Sequence, residues 1–295
     1  MPKVLVVGSQ GFTGRYLLKA LAPLATLDVL ESSKFGLDLR DPKSILSCLR
    51  TSAPDIVVNL GAISAVSAPD FRVLYEINAF GMLNLLEALG QTQFRGRLVF
   101  ASSANIYGCQ SGGVIDESFC ARPANHYAVS KAMAESYCRM FSGRGFEIVI
   151  VRPFNCIGAG QSEEFVVAKS VHHFHEKRDY IELGNVDVHR DFSDIRDVAD
   201  MYRLVITAPD VPPVIQFCSG STWSIREIIA ALEKITGHSL RIAVNPALIR
   251  NNDLMHQQGS RGLLDRLGHR SRYPMEDTLR WMYESLNSAF LGSGS

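Results

Sequence analysis

The sequence predicts an α/β fold, a doubly wound parallel sheet with a smaller mixed C-terminal lobe. Three observations carry that reading. Short runs rich in β-branched residues alternate with helical patterns through the first half of the chain, as happens when crossover helices cover both faces of a parallel sheet. The first run leads directly into a glycine turn and a helix. After Ile157 the alternation gives way to shorter, mixed elements.

The 295 residues, 46% hydrophobic and 20% charged, suit one large domain or two small ones. Lys and Arg number 30 and so do Asp and Glu, so nothing favours nucleic acid or an anionic membrane surface as a partner. No apolar run approaches the ~20 residues of a membrane span. Met1-Pro2-Lys3-Val4 enters a strand at once and leaves no room for a signal peptide. Cys48, Cys109, Cys120, Cys138, Cys156 and Cys218 are scattered, with no Cys-x-x-Cys pair. That pattern reads as reduced thiols in a cytoplasmic protein.

Val4 to Val7 is the first buried strand, followed by Gly8-Ser9-Gln10-Gly11-Phe12-Thr13-Gly14 and a helix through Leu21. Glycines there permit a tight turn and close backbone approach, with a helix N-terminus facing a pyrophosphate. The spacing is Gly-x-x-Gly-x-x-Gly, not the ordinary Gly-x-Gly-x-x-Gly. Leu27 to Leu30 reads as the second strand, ending at Glu31. An acid at that place binds ribose hydroxyls, whereas Ser32, Ser33 and Lys34 suit a 2′-phosphate, and a solvated loop acid fits Glu31 equally well. Ile45 to Arg50 resembles a crossover helix, and Asp55 to Leu60 is a buried strand ending in Gly61-Ala62. Residues from Leu60 to Ile63 should line a cofactor, since ligands bind at the carboxyl ends of such strands.

Asn78-Ala79-Phe80-Gly81 reads as the opening of a helix, with Gly81 allowing close packing. Arg97 to Ala101 is the next strand, and Ser102-Ser103-Ala104-Asn105-Ile106-Tyr107-Gly108 lies at its end. A helix from about His126 to Phe141 and a strand from Glu147 to Val151, ending in Arg152-Pro153-Phe154-Asn155, complete the alternation. Beyond it, Glu163 to Lys177 reads as a helix whose His172, His173 and His175 lack the convergent partners of a metal site. Tyr180 to Gly184, Val214 to Phe217 and Arg241 to Val244 read as strands. Asp194 to Asp200, Ser224 to Thr236 and Met275 to Ser288 read as helices, with Trp281 in the core. The expected organisation is a dinucleotide-binding domain over 1–155 with returning segments about 193–218. A substrate lobe covers 156–192 and 219–290, with a flexible tail at 291–295.

Tyr127 and Lys131 stand four apart on the long helix and share one face. A free phenol near pKa ~10 is a poor acid or base at pH 7, about 4 kcal/mol from optimal. One ammonium about 4 Å away supplies about that much at an effective dielectric near 20. The spacing therefore suggests that Lys131 tunes Tyr127 for proton transfer. A serine such as Ser103 can hydrogen-bond a substrate oxygen, or act as a turn cap.

Taken together, these residues resemble the extended short-chain dehydrogenase/reductase family acting on nucleotide sugars. The resemblance covers Lys3 to about Tyr283. It is carried by Gly8/Gly11/Gly14, Asp38-Leu39, Asn59-Leu60-Gly61-Ala62, Asn78, Asn84 to Ala88, Ser102-Ser103, Tyr127/Lys131 and Arg152 to Asn155. It implies a Rossmann fold, NADPH or NADH as cofactor, a nucleotide-sugar substrate and a homodimer. By resemblance, Ser103, Tyr127 and Lys131 form the catalytic set, and Lys131 also holds the nicotinamide ribose. Cofactor contacts would come from Gly8, Gln10, Gly11, Phe12, Thr13 and Gly14, then Glu31, Ser32, Asp38 (adenine) and Leu39. Leu60, Gly61, Ala62, Asn78, Ala101 and Pro153 would complete them, with Tyr127 and Lys131. Substrate contacts would come from Ser64, Ser103, Asn105, Tyr127, Asn155, Val166, Lys169, Arg190 and Arg226, with Arg190 on the nucleotide diphosphate.

The segments Arg152 to Gln161, Gly184 to Asp187 and His189 to Val198 look most like the branch that handles GDP-linked 4-keto-6-deoxy sugars. Some N-terminal features, including the tight Glu31 region, look closer to relatives that reduce dTDP-linked sugars. The dehydratases of the branch carry a glutamate three residues before the glycine of the Ser/Thr…Tyr-Gly motif. Here that position is Asn105, and an amide cannot exchange a proton at neutral pH. The resemblance thus implies reduction of a 4-keto sugar. The alternatives are a nucleotide-sugar 4-epimerase with the same residues, or a cofactor-sensing regulator that lost the chemistry.

Overall fold

The computed structural model describes residues 1–64, 70–108, 113–249 and 255–292. Cys109 lies outside the described residues. In chain order the first half comprises β1 (Lys3–Val7), α1 (Phe12–Leu21), β2 (Asp28–Glu31), α2 (Pro42–Ser52), β3 (Ile56–Asn59), α3 (Phe71–Tyr75), α4 (Gly81–Gln91) and β4 (Arg97–Ala101). Then come β5 (Val114–Ile115), α5 (His126–Met140), β6 (Glu147–Pro153), β7 (Asn155–Ile157), α6 (Val166–His175), β8 (Tyr180–Leu183), β9 (His189–Asp194) and α7 (Ile195–Thr207). The chain finishes with β10 (Val214–Phe217), β11 (Thr222–Ser224), α8 (Ile225–Thr236), β12 (Arg241–Val244), β13 (His256–Gly259), α9 (Gly262–Arg266) and α10 (Met275–Gly292).

Six strands pair in the order β10-β6-β4-β3-β1-β2, all parallel. Val4, Leu5 and Val6 are fully buried, because helices cover both faces of the sheet and no strand face needs polar residues. Leu17, Leu21, Val198 and Tyr202 pack on one face, from α1 and α7. Ile45, Leu85, Leu89 and Cys138 pack on the other, from α2, α4 and α5. The strand order reverses beside β1, so the crevice at its carboxyl end is the switch point where such sheets take ligands.

Caps written in the sequence set several helix starts. Asp41 accepts from Lys43 N with Pro42 in the first turn, and Asn125 accepts from Ala128 N to begin α5. Ser224 and Glu227 form a reciprocal capping box at the start of α8, and Gly237 ends that helix at φ +69°. A second sheet, β11-β9-β13-β5 with β7 on β9, joins the lobe to the sheet ends, and β8 pairs with β12. Phe174, Ile181, Ile228 and Leu279 form the core of the lobe.

The chain departs from its pattern in four places. Residues Glu76–Phe80 form a π-helical segment that joins α3 to α4, so Asn78 lies inside a longer helical stretch rather than opening a helix. The segment around Arg190 is a strand, β9, leading into α7. Trp281 is half-buried: it packs against both the sheet core and the lobe core, with its ring facing Tyr16 and the Arg196 guanidinium. Leu291 and Gly292 continue α10 and do not begin a tail; residues 293–295 lie outside the described residues. Among the described residues no helix is long and apolar enough to cross a membrane.

Candidate active site

The glycine turn is shaped by three close approaches. Gly8 has φ +78°, and a Cβ there would lie 2.8 Å from Gly61 N. One on Gly14 would lie 2.3 Å from Gly8 O. Gly11 N donates to Gly8 O at 3.1 Å, and no side chain caps α1 behind it. The result is a backbone cradle at the switch point, opened by a helix N-terminus, that fits a dinucleotide diphosphate. Gln10 is exposed, whereas Phe12 and Thr13 are half-buried. From the same turn, Thr13 hydrogen-bonds Cys156 in β7, and Tyr16 Oη donates to Ala159 O at 2.8 Å.

The candidate adenosine side is built from charge pairs within the chain. Glu31 ends β2 and pairs with Lys34 at 2.9 Å, so the two groups that suggest opposite ribose preferences hold each other. That hydrogen bond to Lys34 is the main reason the Glu31 carboxyl lies below its usual value. Ser32 is buried at the base of the same turn. Asp38 receives Arg40 through Nε at 3.1 Å and Nη2 at 2.7 Å. Leu39 is buried between glycines: a Cβ on Gly61 would come within 3.0 Å of its Cδ1, and one on Gly81 within 2.8 Å of its Cβ. Leu60, Ala62 and Pro153 are half-buried at the strand ends.

Tyr127 lies in the first turn of α5 and hydrogen-bonds Ser103, the residue that caps the 3₁₀ turn after β4. Burial pushes the Tyr127 phenol up to about 12, and the Ser103 bond pulls the other way. Burial pulls the Lys131 ammonium down to about 8. Lys131 Nζ donates to Ala101 O at 2.7 Å and sits over the Phe100 ring. In this structure the Tyr127 phenol meets Ser103, and the Lys131 ammonium meets Ala101 O. One of the three ammonium hydrogens is taken by a strand-end carbonyl, and desolvation is the largest influence on the phenol.

Asn105 donates to Ser103 Oγ twice, from its backbone N and from Nδ2, each at 3.1 Å. Two donors fill both lone pairs of a hydroxyl, so the bond between Ser103 and Tyr127 is one in which Ser103 donates. Asn78 clamps the Ile63 backbone through Oδ1 at 2.9 Å and Nδ2 at 3.0 Å, and also reaches Ser130 Oγ at 3.2 Å. It thereby ties the strand-end loop to α5, one turn from Tyr127.

Beneath these groups lies a polar network that motif reading missed. Glu135 is 1% exposed and accepts from Ser102, Arg139 and Arg152. Arg152 also reaches Tyr107 Oη, which accepts from Gln216 as well. Glu135 continues the spacing of Tyr127 and Lys131, the one signal that could have found it.

The candidate substrate residues are spread along the lobe. Asn155 Nδ2 donates to Asp191 O at 3.0 Å, and Lys169 Nζ to Glu182 O at 3.0 Å. Arg190 Nη1 donates to His189 O. Arg226 pairs with Asp187 at 2.7 Å, both exposed. Val166 begins α6, and Ser64 is exposed. Among the described residues, the bonds of Lys169 and Arg226 run to Glu182 and Asp187, not to the Ser103–Tyr127 pair. A cavity of about 370 Å³ between β9, β11 and the start of α10 is lined by Phe192, Trp223 and Tyr273, and by none of the catalytic candidates. Among the described residues no cluster of His, Cys, Asp and Glu is arranged to hold a metal.

Residues 4–216 match the family described as NAD dependent epimerase/dehydratase. The chain is 34% identical over 278 residues to GDP-6-deoxy-D-talose 4-dehydrogenase of Aggregatibacter actinomycetemcomitans, across 92% of this chain and 93% of that one. It is 33% identical over 289 residues to GDP-6-deoxy-D-mannose reductase of Pseudomonas aeruginosa, across 94% and 95% of the two chains. The solved structure of RMD from Pseudomonas aeruginosa complexed with NADPH matches with a TM-score of 0.90 at 30% identity, over 98% of this chain and 100% of that one.

Proposed function

The chain belongs to the NAD-dependent epimerase/dehydratase family, and on that premise we propose that it reduces the C4 keto group of a GDP-linked 4-keto-6-deoxy sugar. It is an NAD(P)-dependent oxidoreductase of the extended short-chain dehydrogenase/reductase type. The observation that supports the finer reading is 34% and 33% identity, over nearly the full length, to two relatives named for oxidoreduction of GDP-6-deoxy sugars.

The glycine turn and the start of α1 would hold the cofactor diphosphate, with Asp38 toward the adenine. When bound, the reduced nicotinamide supplies a hydride. Tyr127 donates the proton to the C4 oxygen, and its burial keeps the phenol protonated until that moment. Ser103, its lone pairs filled by Asn105, turns its proton from Tyr127 to the same oxygen when the sugar is seated and polarises the carbonyl. Lys131 carries the positive charge beneath them. Arg190 takes the nucleotide diphosphate, and Asn155 lines the sugar side. An amide at Asn105 supplies no acid for water elimination, which favours reduction over dehydration.

The test is to incubate the protein with GDP-4-keto-6-deoxy-mannose and NADPH or NADH, follow nicotinamide absorbance and resolve the product by NMR. One reduced cofactor should be consumed per sugar. 6-Deoxy-talose and 6-deoxy-mannose differ at C4, so the H4 couplings identify the product. Interconversion of fully hydroxylated C4 epimers without loss of reduced cofactor would replace this reading with an epimerase.

A further inference from the structure

Helix α5 meets the end of β4 through three side chains spaced by four. Tyr127 bonds Ser103, Lys131 Nζ donates to Ala101 O at 2.7 Å, and Glu135 Oε1 accepts from Ser102 Oγ at 2.6 Å. Such positions lie on one helix face, and their partners are three consecutive residues. Any movement of Ser102 is therefore passed to Ser103.

The Glu135 carboxylate is held so that it cannot swing. Oε1 takes Ser102 Oγ and Arg152 Nε at 3.0 Å, while Oε2 takes Arg152 Nη2 at 2.8 Å and Arg139 Nη2 at 2.7 Å. A structural ion pair between α5 and β6 needs only the arginine bonds. The Ser102 bond is the one directed at the reacting face.

We propose that Glu135 is a positioning residue that sets Ser103 against Tyr127 by gripping Ser102. The proposal rests on the reading of Ser103 and Tyr127 as reacting groups. The charged and titratable groups around it are Lys131, Cys138 and Arg139 on α5 and Arg152 from β6, with Tyr107 bonded to the far side of Arg152. Glu135 also favours the charged form of Lys131 against the burial that opposes it, so one carboxylate serves both neighbours of Tyr127.

Ser102→Ala cuts the grip and leaves the Glu135–Arg152 pair intact. Turnover of GDP-4-keto-6-deoxy-mannose should fall at least about tenfold, the scale of a slightly misplaced catalytic group, with NADPH affinity and melting temperature little changed. Ser102→Thr, which returns the hydroxyl, should restore the rate. Glu135→Asp keeps the charge but withdraws it from Ser102, and the double variant should be no slower than the slower single one. A readout without substrate comes from protein labelled with ¹³C at tyrosine Cζ. The Tyr127 resonance, assigned by its loss in Tyr127→Phe, should move in Ser102→Ala and return in Ser102→Thr. If the wild type does not turn over that sugar, the functional reading fails and the resonance still decides the positioning role. An unmoved resonance, a Ser102→Ala rate equal to wild type, or strictly additive losses would overturn the proposal.

Discussion

Replacing Lys131 with methionine should strengthen the fold at neutral pH. Lys131 is 2% exposed, and desolvation is the largest influence on its ammonium, drawing it from 10.5 to about 8. That fall corresponds to about 3 kcal/mol. The folded-state pKa lies below the unfolded one, so the unfolded chain binds more protons between about pH 8 and 10.5, and stability rises with pH across that window. Below pH 8 the folded protein bears nearly the whole cost; by pH 9.5 less than half remains, about 1.4 kcal/mol. Methionine carries no charge at any pH but leaves Ala101 O without its donor, at about 1 kcal/mol. The variant should thus be more stable by about 2 kcal/mol at pH 7 and nearly equal to wild type at pH 9.5. Urea denaturation of both proteins at both pH values measures this. A less stable variant at pH 7, with a gap that ignores pH, would show that burial does not set the proton affinity of Lys131.

Tyr127→Phe should lower turnover by ~10²–10⁴-fold with NADPH affinity nearly unchanged, because the hydroxyl that donates the proton is removed; a variant keeping a tenth of the rate would contradict that role. Gly14→Ala should abolish measurable NADPH binding in a fluorescence titration, since its Cβ would sit 2.3 Å from Gly8 O. Retained affinity would mean that the turn relaxes without cost. NADH and NADPH should bind within about a hundredfold of each other, roughly 2.7 kcal/mol, because Glu31 and Lys34 are paired at 2.9 Å. A larger preference in parallel titrations would show that the pair opens and that one group alone meets the ribose.

The main sheet was legible because β-branched runs such as Val4 to Val7 bury both faces and need no partner identity to be recognised. The second sheet was not. The two residues of β5 and the three of β7 carry no period, and their pairing partners β13 and β9 are remote in sequence. The π segment at Asn78 was hidden for another reason. A π-turn changes the hydrogen-bond step by one residue, and the apolar residues on either side still read as helix. At the site, the Tyr127/Lys131 spacing located the right face of the right helix but not the partner of Lys131, since Ala101 reaches it only through the folded chain. Glu135 was visible at the next position of that spacing, but a glutamate four residues from a lysine reads first as an ordinary surface pair. Its burial comes from β4 and β6 closing over it.

The two Asn105 donors decide more than the direction of one hydroxyl. An oxygen that already accepts two hydrogen bonds and bears its own proton has no site left for another. Its one remaining bond is a donated one, and in this structure Tyr127 receives it. On the proposed function, Tyr127 then keeps its own proton free for the substrate oxygen. The loop after β4 therefore acts as a check valve on the sense of that one bond, with its stop made of an amide.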